Sequence, residues 1–219
     1  MNTTHTTQTT LVTNALPDAL DDTQASKRSW LKWMGRGAML PLALAAGTSP
    51  ALRAAPGPRA RYFPNSIVQT HDGRSLRFYD DVVRGKVVVF NMMYAVCTGI
   101  CPGNTANLRE VQARLGDRLG KDVFMVSMTL QPESDTPEVL QDSVESCGIK
   151  PGWTFLTGKP KEMDAISRKL GFFNDDPAID GDLTNHTGML QLGNERLDRW
   201  SMMPALAKPD QIARNVLQA

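Results

Sequence analysis

From Arg61 onward, apolar and polar positions alternate between two rhythms. Val87-Val88-Val89-Phe90-Asn91-Met92-Met93 is a nearly continuous apolar run, which predicts a central strand covered on both faces. Val123-Phe124-Met125-Val126-Ser127-Met128 predicts a second. Between them Leu108, Val111, Leu115 and Leu119 recur at three- and four-residue steps, the stripe of a helix lying on a sheet. Upstream, Ile67–Thr70 and Ser75–Phe78 flank Asp72-Gly73, a hairpin signal because glycine tolerates positive φ. Asp135-Thr136-Pro137 opens another helix with a capping side chain and a first-turn proline; its stripe is Leu140, Val144 and Cys147, and Gly148 stops it. Met163, Ile166 and Leu170 mark a third helix ended by Gly171. Met189–Leu192, a turn at Gly193-Asn194 and Arg196–Trp200 predict a hairpin, and Pro209 opens a closing helix carrying Ile212 and Val216. Strand–helix alternation of this kind predicts an α/β sheet sandwiched by helices. The chain shows no internal repeat, and no glycine-rich phosphate loop follows a strand, which removes nucleotide-binding functions.

The first quarter has neither rhythm. Residues 1–25 are polar, with eight threonines. Ser26-Lys27-Arg28-Ser29-Trp30-Leu31-Lys32 is basic, Gly37 to Leu52 is uncharged for 16 residues, and Ala51-Leu52-Arg53-Ala54-Ala55 offers small residues for cleavage. That order is the order of an export signal, and the run is too short and too broken by Gly and Pro for a spanning helix, which wants about 20 residues. The basic segment resembles a twin-arginine translocation signal in which Lys27 replaces the first arginine and Arg28 is retained, so the export route stays open between folded and unfolded. Residues 1–55 are therefore expected to be a leader and residues 56–219 the working domain. Its expected place is the periplasm or the outer face of the cytoplasmic membrane, with membrane association only through an uncleaved leader.

Charge sharpens this picture by exclusion. The chain of 219 residues carries 24 Lys plus Arg against 23 Asp plus Glu. Beyond Ala55 the balance is 19 against 20 over 164 residues, with no surplus to neutralise nucleic-acid phosphates. Three cysteines are too few for a disulfide scaffold, and an odd number cannot all pair. Cys97 and Cys101 stand between the Val87–Met93 strand and the following helix, in Cys97-Thr98-Gly99-Ile100-Cys101-Pro102. If that stretch is helical, four residues separate the two Cα atoms by about 6 Å, within reach of a disulfide or of one shared metal ion. Pro102 places Cys101 at a helix amino end, where unpaired N–H groups favour a thiolate by about 0.3–1 kcal/mol. A lowered thiol pKa serves both redox exchange and metal ligation. Cys147 continues an apolar stripe and is expected in the core.

Of the three histidines, His5 lies in the leader and His71 abuts the Asp72-Gly73 turn, where it is expected to be solvated. His186, in Asn185-His186-Thr187-Gly188, precedes the Met189–Leu192 strand. The residues alone leave it open between ligand and bystander. Two thiolates with one imidazole form a soft three-coordinate set suited to Cu(I), one ligand short of a structural zinc site. The eight methionines beyond the leader, Met92 and Met93 among them, lie in apolar runs that favour core packing over ligation.

At these residues the chain resembles the Sco/SenC family of copper-handling proteins, which have a thioredoxin-like fold. The resemblance runs from about Pro64 to the carboxyl end. It rests on Gly85-Lys86 before the central strand, Cys97-x-x-x-Cys101-Pro102, Asp135-Thr136-Pro137, Leu156-Thr157-Gly158 and His186 before the last hairpin. It implies copper ligands Cys97, Cys101 and His186, and a role in assembling the copper centre of a terminal respiratory oxidase. The implied partners are the copper-receiving oxidase subunit and a thiol reductant or another copper chaperone. The chain departs from the family's usual Pro at Thr98, usual Asp at Gln131 and usual Asp at Asn185, positions that bear on the tuning of the site and the choice of partner.

Three functions compete at this point. The first is a metallochaperone holding Cu(I), or also Cu(II), through Cys97, Cys101 and His186. The second is a thiol–disulfide oxidoreductase in which Cys97 attacks and Cys101 resolves, with no need of His186. The third, a peroxidase, is disfavoured, because Tyr94 stands where the peroxidatic motif has Thr and no proline lies between Lys86 and Cys97.

Overall fold

The computed structural model describes residues 56–183 and 188–219. The leader and His186 lie outside the described residues. Seven strands form one mixed sheet: β1 (Ile67–Thr70), β2 (Ser75–Arg77), β3 (Val87–Met93), β4 (Val123–Thr129), β5 (Trp153–Gly158), β6 (Met189–Asn194) and β7 (Arg199–Pro204). Their order across the sheet is β2-β1-β5-β4-β3-β6-β7. β3, β4 and β5 run parallel, and the remaining pairings are antiparallel. Among the described residues five α-helices accompany them: α1 (Cys101–Leu115), α2 (Pro137–Ser146), α3 (Pro160–Lys169), the single turn α4 (Pro177–Asp180) and α5 (Pro209–Gln218).

β3 explains the two-sided sheet. All seven of its residues are buried, and they divide strictly by parity. Val87, Val89 and Met93 pack with α1, α2 and α5 through Leu108, Val111, Leu140, Val144, Ile212 and Val216. Val88, Phe90 and Met92 pack on the other face with Met163, Ile166 and Leu170 of α3 and with Phe78 and Val82 of a π-helical turn, Phe78–Val83. A continuous apolar run is what a strand with two covered faces requires. The one polar member, Asn91, is buried but bonded: Ser127 Oγ donates to its Oδ1 at 2.7 Å, and Trp153 Nε1 donates to Ser127 Oγ at 2.8 Å. This chain of donors crosses β3, β4 and β5 and leaves no oxygen of the set dry and unbonded.

The expected helices are present with their caps. Thr136 Oγ1 accepts from the Val139 N–H at 3.4 Å, at the start of α2. The α2 terminus corrects one expectation. Cys147 is not core: it is the C-cap residue and half exposed. Gly148 takes φ +61, its N–H bonds the Glu145 carbonyl, and the Ile149 N–H bonds the Val144 carbonyl. This is the Schellman arrangement, and it hands the next apolar place to Ile149, which joins the core beside Val144. The helical stripe of α1 likewise ends at Leu115, because a 3-10 turn over Gly116–Arg118 intervenes before Leu119.

Two further expectations change. The last hairpin turns at residues 195–198 rather than at Gly193-Asn194. Gly193 pairs directly with Trp200, and a Cβ there would fall 2.2 Å from the indole, so this glycine makes room for a ring instead of a turn. Asp198 takes the positive φ of the actual turn. His71 is not a solvated turn residue. It is half-buried, its Nδ1 accepts from the Phe155 N–H at 3.1 Å, and its own N–H bonds the Phe155 carbonyl at 2.9 Å, extending the β1–β5 edge.

Candidate functional site

The two motif cysteines sit where β3 leaves the sheet. After Met93 the chain passes through Tyr94 and a turn at Ala95-Val96, and Cys97 lies in non-helical backbone, its N–H bonded to the Tyr94 carbonyl at 3.2 Å. Helix α1 then begins at Cys101, so only the second cysteine is helical. Both thiols are free. Cys101 is buried under the sheet end at 7% exposure, whereas Cys97 is half exposed and Val96 beside it is 73% exposed. Cys97 is thus partly open to solvent and Cys101 enclosed.

Their acidities diverge, and not in the sense expected. No side chain caps the amino end of α1, because Ile100 has none to offer. The Cys97 sulfur takes that seat. Burial pushes its pKa up, but the Cys101 thiol, the Tyr94 hydroxyl and the backbone N–H groups of Cys101 and Gly99 all donate to it and outweigh burial, holding Cys97 below the ordinary thiol range. Cys101 goes the other way: burial first, and then its hydrogen bond to Cys97, push it up to about 12. The helix terminus thus stabilises a thiolate on the residue before the helix, not on the residue that starts it. Tyr94, a half-buried residue, meanwhile keeps its hydroxyl proton more firmly than usual, chiefly through its bond to Cys97.

A buried carboxylate holds this turn in place. Asp135, 1% exposed, accepts from the Ala95 N–H at 3.0 Å and from the Thr129 hydroxyl, while Thr129 Oγ1 accepts from the Gln131 N–H at 2.9 Å. Asp135 therefore ties the cysteine turn after β3 to the turn after β4. The motif residues Asp135-Thr136-Pro137 consequently do two jobs, fixing the site and capping α2. Gln131, one of the departures, forms the bend at that second turn: its carbonyl accepts from the Ser134 and Asp135 N–H groups at 3.1 and 2.9 Å.

The segment bearing His186 joins this place at its described ends. Gly188 lies against Ile100, close enough that a Cβ would stand 3.8 Å from Ile100 Cδ1. Asp182 lies near enough to Tyr94 to contribute to raising its pKa. Among the described residues, no group of three or more His, Cys, Asp or Glu side chains is placed to hold a metal ion. What those residues supply is a pair of soft donors, Cys97 and Cys101, in hydrogen-bond contact at an open surface. A cavity of about 520 Å³ is lined by Gln131, Glu133, Ser134, Met163, Asp180 and Leu183 among others, and neither cysteine lines it. The chemistry is at the rim of the sheet, presented outward. Tyr94 and Asp135 complete it. Asp135 was legible as part of a motif, but nothing in the spacing marks Tyr94 as a donor to sulfur.

Residues 68–219 match the family described as SCO1/SenC. Among curated proteins, the SCO1 protein homolog of Bacillus subtilis is 29% identical over 91 residues, which are 41% of this chain and 46% of that protein. The chain spans between 30 and 65% of the length of the curated relatives it matches. Among solved structures, a SCO1/SenC family lipoprotein from Bacillus anthracis superposes with a TM-score of 0.59 at 22% identity, covering 71% of this chain and 93% of that one. ScoI of Bradyrhizobium japonicum, solved with copper bound, gives a TM-score of 0.56 at 22% identity, over 69% and 95%. The expected thioredoxin-like α/β fold is therefore the observed one.

Proposed function

The chain belongs to the SCO1/SenC family, and on that premise we propose that it is a copper metallochaperone that holds Cu(I) through Cys97, Cys101 and His186 and delivers it to a respiratory copper enzyme of the cytochrome c oxidase type. One observation carries the reading: two free thiols share a hydrogen bond at an exposed sheet end, one of them already biased toward thiolate. Thiolates are the ligands a soft monovalent ion prefers, and a lowered pKa reduces the proton competition against binding. His186 is the third ligand in this reading. Gly188, two residues later in sequence, packs on Ile100 next to Cys101, and two residues of chain span at most about 7 Å. Copper is cargo here, and the solvent-facing position of Cys97 suits ligand exchange with a partner's own cysteines. Residues 1–55 serve as the export leader in this reading, delivering the domain to the periplasm or the outer face of the cytoplasmic membrane. No helix among the described residues is long and apolar enough to cross a membrane.

Anaerobic titration of the reduced chain with Cu(I) tests the proposal. One tight equivalent is expected, with the tight binding lost in Cys97→Ala and Cys101→Ala and weakened in His186→Ala. Unchanged affinity in the Cys97→Ala and His186→Ala variants would sink it.

A second reading draws on the divergent pKa values. A low-pKa, partly exposed Cys97 and a buried Cys101 fit the attacking and resolving thiols of a dithiol reductant. The Cys97 thiolate would attack a partner disulfide to give a mixed disulfide. Cys101, losing its proton, would then displace the partner's second thiolate and close the Cys97–Cys101 disulfide, so that the partner is reduced as this pair is oxidised. A His186→Ala variant with full function in cells, beside an inactive Cys101→Ser, favours this reading over copper delivery.

A further inference from the structure

The methionines divide as sharply as the cysteines. Of the eight beyond the leader, Met92, Met93, Met125, Met128, Met163 and Met203 are buried in the two cores, as their apolar runs predict. Met189 and Met202 are not: they are 37% and 41% exposed. Both line the same small groove, of about 130 Å³, together with Gly171, Phe173 and Ile179. The sheet register explains why they meet. Met189 pairs with Pro204 and Gln191 with Met202, so the two methionines are diagonal neighbours on one face of the β6–β7 hairpin. Diagonal neighbours have Cα atoms about 7–8 Å apart, within joint reach of two long unbranched side chains. The Met202 sulfur folds over Gly171, where a Cβ would stand 3.4 Å from it. Gly171 and Phe172 follow directly on α3, at the helix end that carries partial negative charge.

We propose that Met189 and Met202 form a second, weaker soft-metal seat, holding Cu(I) through their two thioethers in the groove beside the carboxyl end of α3. The inference rests on the copper reading above and extends it. Thioethers select a soft monovalent ion and leave hard or borderline dications aside. The seat lies on the α3 face of the sheet, the opposite face from the one on which Cys101 packs, because Met189 alternates with Leu190 and Leu192 of the Cys101 core. Elsewhere among the described residues every methionine of this domain is enclosed, so exposure and a shared groove coincide only at this pair.

The test uses the full reduced chain, labelled with carbon-13 at the methionine ε-methyl groups and titrated anaerobically with Cu(I) against a chromogenic Cu(I) chelator. In a Cys97→Ser/Cys101→Ser variant, one Cu(I) is still expected to bind, shifting the Met189 and Met202 methyl resonances and leaving the six buried ones in place. Adding Met189→Leu and Met202→Leu, replacements of similar volume at exposed positions, is expected to lower that residual affinity at least tenfold; Zn(II) is expected to leave both resonances unmoved. Resonances that stay put with Cu(I), or a residual affinity that survives both leucines, overturn the proposal, as does an equal response to Zn(II). The two readings fail separately. Loss of the cysteine-dependent equivalent with both methyl shifts retained refutes the metallochaperone site alone. An intact cysteine-dependent equivalent without those shifts refutes the methionine seat alone.

Discussion

The central strand β3 has two ends, and each buries polar groups under a different rule. At its start, Glu195 is 1% exposed and accepts from the Tyr79 hydroxyl at 2.6 Å and the Gly85 N–H at 2.8 Å. Gly57 lies so close that a Cβ would stand 2.2 Å from Glu195 Oε1, and an ion pair between Arg59 and Asp198 and the buried ring of Phe63 seal the same corner. Glu195 thus takes both the Tyr79 hydroxyl and the Gly85 N–H inside the protein. At the other end, beyond Met93, the turn is fixed just as firmly by Asp135, yet Cys97 remains partly exposed while its sulfur accepts from the donors around it. Burial with satisfied partners makes a hinge pin; partial exposure with converging donors makes a place for chemistry. The two ends share one strand, so the first supplies the rigidity on which the second depends.

That contrast can be broken by substitution at either end. The largest effect is expected at the cysteine end: Cys97→Ala should cost at least a thousandfold in Cu(I) affinity, about 4 kcal/mol, while shifting the urea midpoint little because the side chain is half exposed. Next comes Glu195→Ala, which strands the Tyr79 hydroxyl and the Gly85 N–H and should cost about 3 kcal/mol in urea unfolding. Its Cu(I) affinity should match wild type, and a parallel collapse of both would show that the ends are not separable. Tyr94→Phe removes one donor to the Cys97 sulfur and should weaken Cu(I) binding by about 10- to 100-fold.

The same variant carries a pH signature. In the wild-type chain, alkylation of Cys97 should rise with a midpoint below the ordinary thiol value, because its thiolate is stabilised, while Cys101 stays protonated and slow until the pH nears its value of about 12. Mass spectrometry of the alkylated chain resolves the order. Phenylalanine at Tyr94 withdraws a bond made to the thiolate, so the Cys97 midpoint must move upward; a downward or absent shift would remove Tyr94 from the site. The smallest effect is expected away from both ends, at the α2 cap, where Cys147→Ser should alter stability by about 0.5 kcal/mol or less, as for other surface replacements. A loss of several kcal/mol there would restore the core assignment that the burial of Ile149 displaces.

Legibility followed the range of each interaction. The continuous run Val87–Met93, the cap at Thr136 and the helix stops at Gly148 and Gly171 were readable because each depends on residues within a few positions of itself. The hairpin turn was misplaced because Gly193 looks like a turn residue locally, and only Trp200 across the ladder reveals that it is there for space. His71 was misread for the same reason, its partner Phe155 lying 84 residues away. β5 was not read as a strand at all, although Leu156-Thr157-Gly158 stood out as a motif. Within the site, the identity and spacing of Cys97 and Cys101 were plain, whereas Tyr94 carried no sign of its role.

The amino-acid sequence by itself determined the α/β class, the placing of a cysteine pair between a central strand and a helix, the family, and the near-neutral charge balance. Tertiary structure decided which thiol is the acidic one. Periodicity and capping are local properties of a chain and survive in one dimension. A thiol's acidity is set by what surrounds its sulfur in space: at Cys97 the converging donors of Tyr94, Gly99 and Cys101, at Cys101 the burial beneath the sheet end. No spacing rule encodes that difference, because it arises only when the turn after β3 closes over the first turn of α1.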